Sequence, residues 1–102
     1  MASPASVFAE HAARGELAYQ VDSDGRAVWP PQVRFSEWRV SAGEGTVYAT
    51  TTVRRRGEDP HNVALIDLDE GFRMMSRVDA GEVTVGMRVR VRFEDGVAVF
   101  AP

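Results

Sequence analysis

Between Val83 and Phe93 the chain alternates without a break: Val83, Val85, Met87, Val89, Val91 and Phe93 stand against Thr84, Gly86, Arg88, Arg90 and Arg92. Side chains along a strand point to opposite faces in turn, so this period lays an apolar row on one side and an arginine row on the other. A helix would spread both sets around its circumference. The stretch therefore predicts a half-buried strand whose wet face pairs its arginines with acidic neighbours across the sheet. The other use of such a row is to bind an anion or an acidic partner. Either way, a strand of this kind needs a sheet to lie in.

The chain around it supplies one. Thr46 to Val53 is rich in threonine, valine and tyrosine, which suit a pleated surface, and Gly43-Glu44-Gly45 before it leaves room for a bulge or sharp bend. Asn62 to Leu68 is nearly all apolar and reads as a central strand, with Asp69-Glu70-Gly71 as a short hairpin loop. Phe72 to Val78 returns, with Phe72, Met74 and Val78 facing one way and Arg73, Met75 and Arg77 the other. Glu94-Asp95-Gly96 then turns the chain into a last strand, Val97 to Phe100. Five strands, the first long and bent, with no helix among them, predict a mainly β fold: a five-stranded OB-fold barrel over residues 38–102.

Residues 1–37 read differently. Ser3 and Pro4 fit an N-cap and first helical position, Val7, Phe8, His11 and Ala12 share one helical face, and Gly15 is a stop. Leu17 to Val21 and Ala27 to Trp29 are short strands around the turn Asp22-Ser23-Asp24-Gly25, and Pro30-Pro31 ends the unit. At 102 residues the chain is one domain's worth and too short for two independent cores. It has no cysteine, which excludes disulfides and thiolate metal sites. No apolar run approaches the ~20 residues of a membrane span. The opening Met-Ala-Ser-Pro-Ala-Ser lacks the basic and apolar regions of a signal peptide, so a soluble cytoplasmic protein is the expectation. All twelve basic residues are arginine, against fifteen acidic ones, and the net charge of -3 argues against a dedicated nucleic-acid binder.

Few residues carry chemistry. Arg54, Arg55 and Arg56, followed by Gly57, stand in the loop after the first barrel strand; they could grip phosphates, or form a solvated loop offset by Glu58 and Asp59. Trp29 and Trp38 flank the Pro30-Pro31 link and are either interface anchors or the join between the N-terminal unit and the barrel. His11 and His61 are isolated, and Asp67, Asp69 and Glu70 straddle a tight turn. No nucleophile, base and orienting group accompany one another, and no Gly-rich phosphate loop or metal-ligand spacing occurs. No catalytic residue, cofactor or metal is expected.

In order along the chain, a helix, "GELAYQ", a knuckle-like turn, "GRAVWPP", "GEGTVYATTTVRR", "ALIDLDEGFR", "VGMRVRVRF" and "FAP" resemble one bacterial and archaeal family. That family pairs an N-terminal rubredoxin-like zinc ribbon with a C-terminal OB-fold and was long classed as a domain of unknown function. The most specific parts are Gly45-Thr46-Val47-Tyr48, Leu68-Asp69-Glu70-Gly71 and Gly86 through Val91. The resemblance implies an accessory role in CoA-thioester metabolism, in which members associate with thiolases, aldol-lyases, hydratases or acyl-CoA dehydrogenases and bind or channel the acyl-CoA. It also implies cysteines where this chain has Val21 and Asp24, and a second pair after the prolines, where Gln32 to Glu37 is shortened and has none. The ribbon is then a degenerate, metal-free hairpin, and an apolar cluster of Tyr19, Val21, Val28, Trp29 and Phe35 is expected in place of the metal.

Three functions compete. The resemblance favours a noncatalytic partner of a thiolase-, lyase- or hydratase-type enzyme, with Trp29, Pro30, Pro31 and Trp38 at the contact and Arg54 to Arg56 supplying charge. The alternative is an OB-fold binder of single-stranded nucleic acid, which needs a basic groove with stacking aromatics. The third, a stand-alone enzyme, has no visible site.

Overall fold

The computed structural model describes residues 3–102. A helix, α1 (Pro4–Ala13), opens the chain; the Ser3 hydroxyl accepts from the Ser6 N–H at its start, and Gly15 leaves it with a φ of 76°. The strands β1 (Ala18–Val21), β2 (Ala27–Val28) and β3 (Glu37–Val40) form a small antiparallel sheet in the order β2-β1-β3. β4 (Glu44–Val53), β5 (His61–Leu68), β6 (Arg73–Ser76), β7 (Arg88–Glu94) and β8 (Val97–Ala101) form a five-stranded sheet in the order β6-β5-β4-β7-β8.

The larger sheet curls until its outer strands meet. Val78, just past β6, bridges Phe100 of β8 in parallel, with the Phe100 N–H donating to the Arg77 carbonyl at 3.0 Å and the Asp79 N–H to the Phe100 carbonyl at 2.7 Å. That strand order with that closure is the partly open OB-fold barrel the strand pattern predicts. The bend in β4 falls at Tyr48, where the register with β5 slips between Val47 and Ala49, a few residues beyond the glycines. Gly45 serves a different need: a Cβ there would stand 2.5 Å from the Asp67 carbonyl oxygen.

One expectation is corrected. β7 starts at Arg88, not Val83. Thr84 to Met87 is a turn, with Gly86 at a φ of 91° and the Met87 N–H on the Thr84 carbonyl, so the alternation reaches back over residues that are not strand. Val85, expected inside, is 67% exposed, whereas Val83 and Met87 still pack against the core. The glycine that fits the alternating period is also the residue that ends it. Trp38 lies on β3 opposite Gln20, and the small sheet runs on to Val40.

One core spans both sheets. Leu17, Tyr19 and Val21 from β1 and its lead-in are buried in the same cluster as Val47, Ile66, Leu68, Phe72, Met74, Val89 and Phe100. All four residues of β1 are buried, because the strand is flanked by β2 and β3 within its sheet and packed on the barrel. Replacing Val89, 4% exposed, with aspartate will unfold the chain by burying an unpaired charge. Val85→Asp, equivalent in the alternating pattern, will shift stability by less than about 0.5 kcal/mol in thermal denaturation.

Candidate functional site

Trp29 sits where helix, small sheet and barrel converge. Its ring stacks on Phe72 at 5.2 Å between centroids and meets Phe8 of α1 edge-on at 5.7 Å, while Tyr19 stacks on Phe72 at 4.9 Å. Alternation along the strand turns Phe72 and Met74 inward and leaves Met75 outside. Beside Trp29 an open groove of about 530 Å³ is lined by Phe8, Trp29, Pro31, Met74, Met75 and Val97. Met75 is 69% exposed and Val97 61%, so the groove offers apolar surface to solvent rather than sealing it. Pro31 lines it and Pro30 stands exposed next to it.

The other expected residues lie elsewhere. Trp38 stacks with His11 at 6.4 Å and does not line the groove; His11 is in turn 2.9 Å from the Glu16 carboxylate. Arg54, Arg55 and Arg56 are exposed at the tip of the β4–β5 hairpin. Met75 pairs with Leu65 and through it with Ala49, and Val53 is four residues, roughly 13 Å, further along the strand. The site residues named from the sequence thus fall into three separate places. Met75, Val97 and Phe8 were not among them. The available signal was a methionine on the same face as Arg73 and Arg77.

The segment with the knuckle-like turn is tied by a polar side chain. Gln20 is fully buried; its amide donates to the carbonyls of Gln32 and Phe35, each at 2.9 Å, and its oxygen accepts from the Gln32 N–H at 2.7 Å. The expected apolar cluster is divided: Tyr19 and Trp29 turn to Phe72, Val21 joins the main core, Val28 and Phe35 lie outside it, and Phe35 is covered by the Arg34 guanidinium. Among the described residues no three His, Cys, Asp or Glu side chains gather as a metal cluster would. Gln20→Leu will leave three main-chain groups without their partner and cost about 2–3 kcal/mol, read as a lowered melting temperature.

The arginine row on β7 is neutralised. Arg88 makes a two-pronged bond to Asp69 at 2.8 and 2.7 Å, Arg90 reaches Glu44 at 2.9 Å, and Arg92 bonds Asp79 and Glu94. Arg77 bonds Glu94 at 2.6 Å, and Arg73 bonds Asp67 while lying 3.5 Å above the Tyr48 ring. The hydrogen bond from Arg88 holds the Asp69 carboxyl below the usual carboxylate range. A carboxyl depressed on folding contributes stability above its unfolded pKa and loses it as pH falls through the folded value. Arg88→Gln will therefore move the Asp69 titration upward, followed by carboxyl-carbon NMR, and remove its part of the acid-side fall in stability.

A five-stranded OB barrel carrying a three-stranded, helix-capped appendage, with an open apolar groove at their junction, defines the class. The chain belongs to the family of the ChsH2 C-terminal OB-fold domain, whose pattern matches residues 38–94, more than half its length. Its fold is similar to the Ltp2-ChsH2(DUF35) aldolase, with a TM-score of 0.77 and 22% identity over 100% of this chain and 96% of that one. It is also similar to a protein of unknown function from the DUF35 family of Sulfolobus solfataricus, with a TM-score of 0.72 and 14% identity over 93% and 81% of the two chains. Comparison with curated proteins gives no match.

Proposed function

We propose that this chain is a noncatalytic subunit that docks on an acyl-CoA-processing enzyme of the lyase type. The observation that carries this reading is the groove between α1, Trp29 and the barrel, where Met75 and Val97 are held exposed beside a rigid proline and a stacked tryptophan. Burying such side chains on a partner releases water at little entropic cost, because Trp29 and Pro31 are already fixed. No charged residue lines the groove, although Met75 shares its outward face with the ion-paired Arg73 and Arg77, so a partner can fill the groove with apolar groups and meet those ion pairs only at its rim. Support from relatives is of the same kind: the Ltp2-ChsH2(DUF35) aldolase, similar to this chain in fold, joins a DUF35 protein with an aldolase in its name. The family resemblance in the sequence adds the CoA-thioester substrate class.

An oligonucleotide reading draws little from the site. The β7 arginines that would meet phosphates are bonded to carboxylates, and Tyr48, the exposed barrel tyrosine, is covered by Arg73.

Trp29→Ala would confuse docking with folding, since Trp29 packs on Phe72 and its loss costs about 3 kcal/mol. The cleaner test is the double variant Met75→Asp, Val97→Asp, which alters exposed positions only. The wild-type chain, tagged and expressed in its host, will co-purify a lyase-type acyl-CoA enzyme in fixed ratio; the double variant will keep its far-UV CD and lose that enzyme. Co-purification unchanged by the double variant would reject the groove. Recovery of single-stranded nucleic acid in place of an enzyme would reject the reading as a whole.

A further inference from the structure

A second surface, at the opposite end of β4, has properties the groove does not explain. β6 stops at Ser76, opposite Ala64, and β7 pairs with β4 only from Glu44 to Thr46. Met87 and Gly86 continue that contact as far as Val47 and no further. Ala49–Val53 and His61–Val63 therefore project as a two-stranded arm, paired with each other.

The direction of the arm's main-chain bonds follows from one hydrogen bond. Leu68 donates its N–H to the Phe72 carbonyl at 2.8 Å, so Leu68 faces β6. Bonding direction alternates along a strand, which turns Leu65, Val63 and His61 toward β4, where they pair with Ala49, Thr51 and Val53. Thr50 and Thr52 are left with their N–H and carbonyl groups aimed at the open side, along a cleft of about 500 Å³ that Thr51, His61, Gly81 and Val83 also line. At the end of this edge stand Arg54, Arg55 and Arg56, exposed and without an ion pair among the described residues, while every arginine of β6 and β7 has one. Glu58 and Asp59 share the loop, so residues 54–59 carry a net +1 against -4 on the rest of the chain, with the three guanidinium groups together on the side next to Val53.

We infer that the β4–β5 arm takes an extended acidic segment of a protein partner as an added strand, paired along Thr50–Thr52 and held at its end by Arg54, Arg55 and Arg56. Free main-chain donors and acceptors in alternation are matched by another polypeptide and by nothing in a nucleic-acid backbone. Residues 49–63 contain no Phe, Tyr or Trp on which a base could stack, and His61 is the single aromatic ring among them. Carboxylates on the added strand satisfy the arginine forks. The inference rests on the partner-subunit reading but uses a surface separate from the Trp29 groove.

Fluorescence anisotropy with a labelled peptide of roughly eight alternating glutamate and valine residues tests it, with a lysine–valine peptide and an oligothymidine as competing probes. The wild-type chain will bind the acidic peptide, more weakly as salt rises. The triple variant Arg54→Gln, Arg55→Gln, Arg56→Gln will weaken binding about tenfold. Thr52→Pro removes only an outward N–H, which an edge strand tolerates, and will weaken binding about tenfold as well. Should Thr52→Pro fail to fold, slowed amide exchange at Thr50 and Thr52 of the wild-type chain on adding peptide decides the point. Equal binding by a folded Thr52→Pro variant, no protection of those amides, or preference for the oligothymidine overturns the inference. Its failure is separable from that of the proposed function. An enzyme partner lost with Met75→Asp, Val97→Asp but indifferent to the arm leaves that function standing; peptide binding without any enzyme partner does the reverse.

Discussion

Phe72 is held between two rings. Tyr19 from β1 and Trp29 from the end of the small hairpin both stack on it, and Phe8 of the helix closes over Trp29. A three-stranded sheet this small, with one strand of two residues, has no core of its own. It gains one by lending Leu17, Tyr19 and Val21 to the barrel, and Phe72 is where the loan is secured. The groove depends on the same joint, because its wall is the outer side of the stacked Trp29.

Most of the barrel was legible in the sequence because its strands are half-buried and alternate, and its turns carry Asp, Glu and Gly where a reversal needs them. The succession of barrel strands along the chain and the outward Arg73, Met75 and Arg77 follow from that pattern, and the short N-terminal hairpin from its Asp22–Gly25 turn and the prolines after it. The reach of β7 did not, since Gly86 satisfies the period while its positive φ breaks the strand. The groove was half legible. Trp29 and Pro31 stand out by residue type, but Met75 and Val97 matter through how strands from distant parts of the chain meet, which no local period records. Gln20 was invisible for a related reason: its three partners lie 12 to 15 residues away in an irregular segment.

The electrostatics are arranged with the same division of labour. Arginines on β6 and β7, and Arg77 just past β6, bond carboxylates on neighbouring strands and turns, which binds the outer surface in a network but contributes modestly, since water screens such exposed pairs. Their larger effect is to leave that face with little charge to offer a ligand. Arg54, Arg55 and Arg56 at the hairpin tip stay outside that network, and Met75 and Val97, two of the exposed large apolar side chains, meet at the groove.

The turn between β5 and β6 carries a further consequence. Glu70 accepts from the Ser41 hydroxyl at 2.7 Å and the Ala42 N–H at 2.8 Å, and its neighbour Asp69 holds Arg88 on β7. A loop of this length is ordinarily the first place to cut, extend or label a protein. Here it is the buckle across the linker between the two sheets, and an insertion would break the Glu70 bonds to Ser41 and Ala42. The tip at Gly57, where an added Cβ meets nothing within 4 Å, has no such duty. For anyone attaching a probe to follow how the two sheets move together, the attachment point that leaves their geometry intact is the long arm, and the one that destroys it is the short turn.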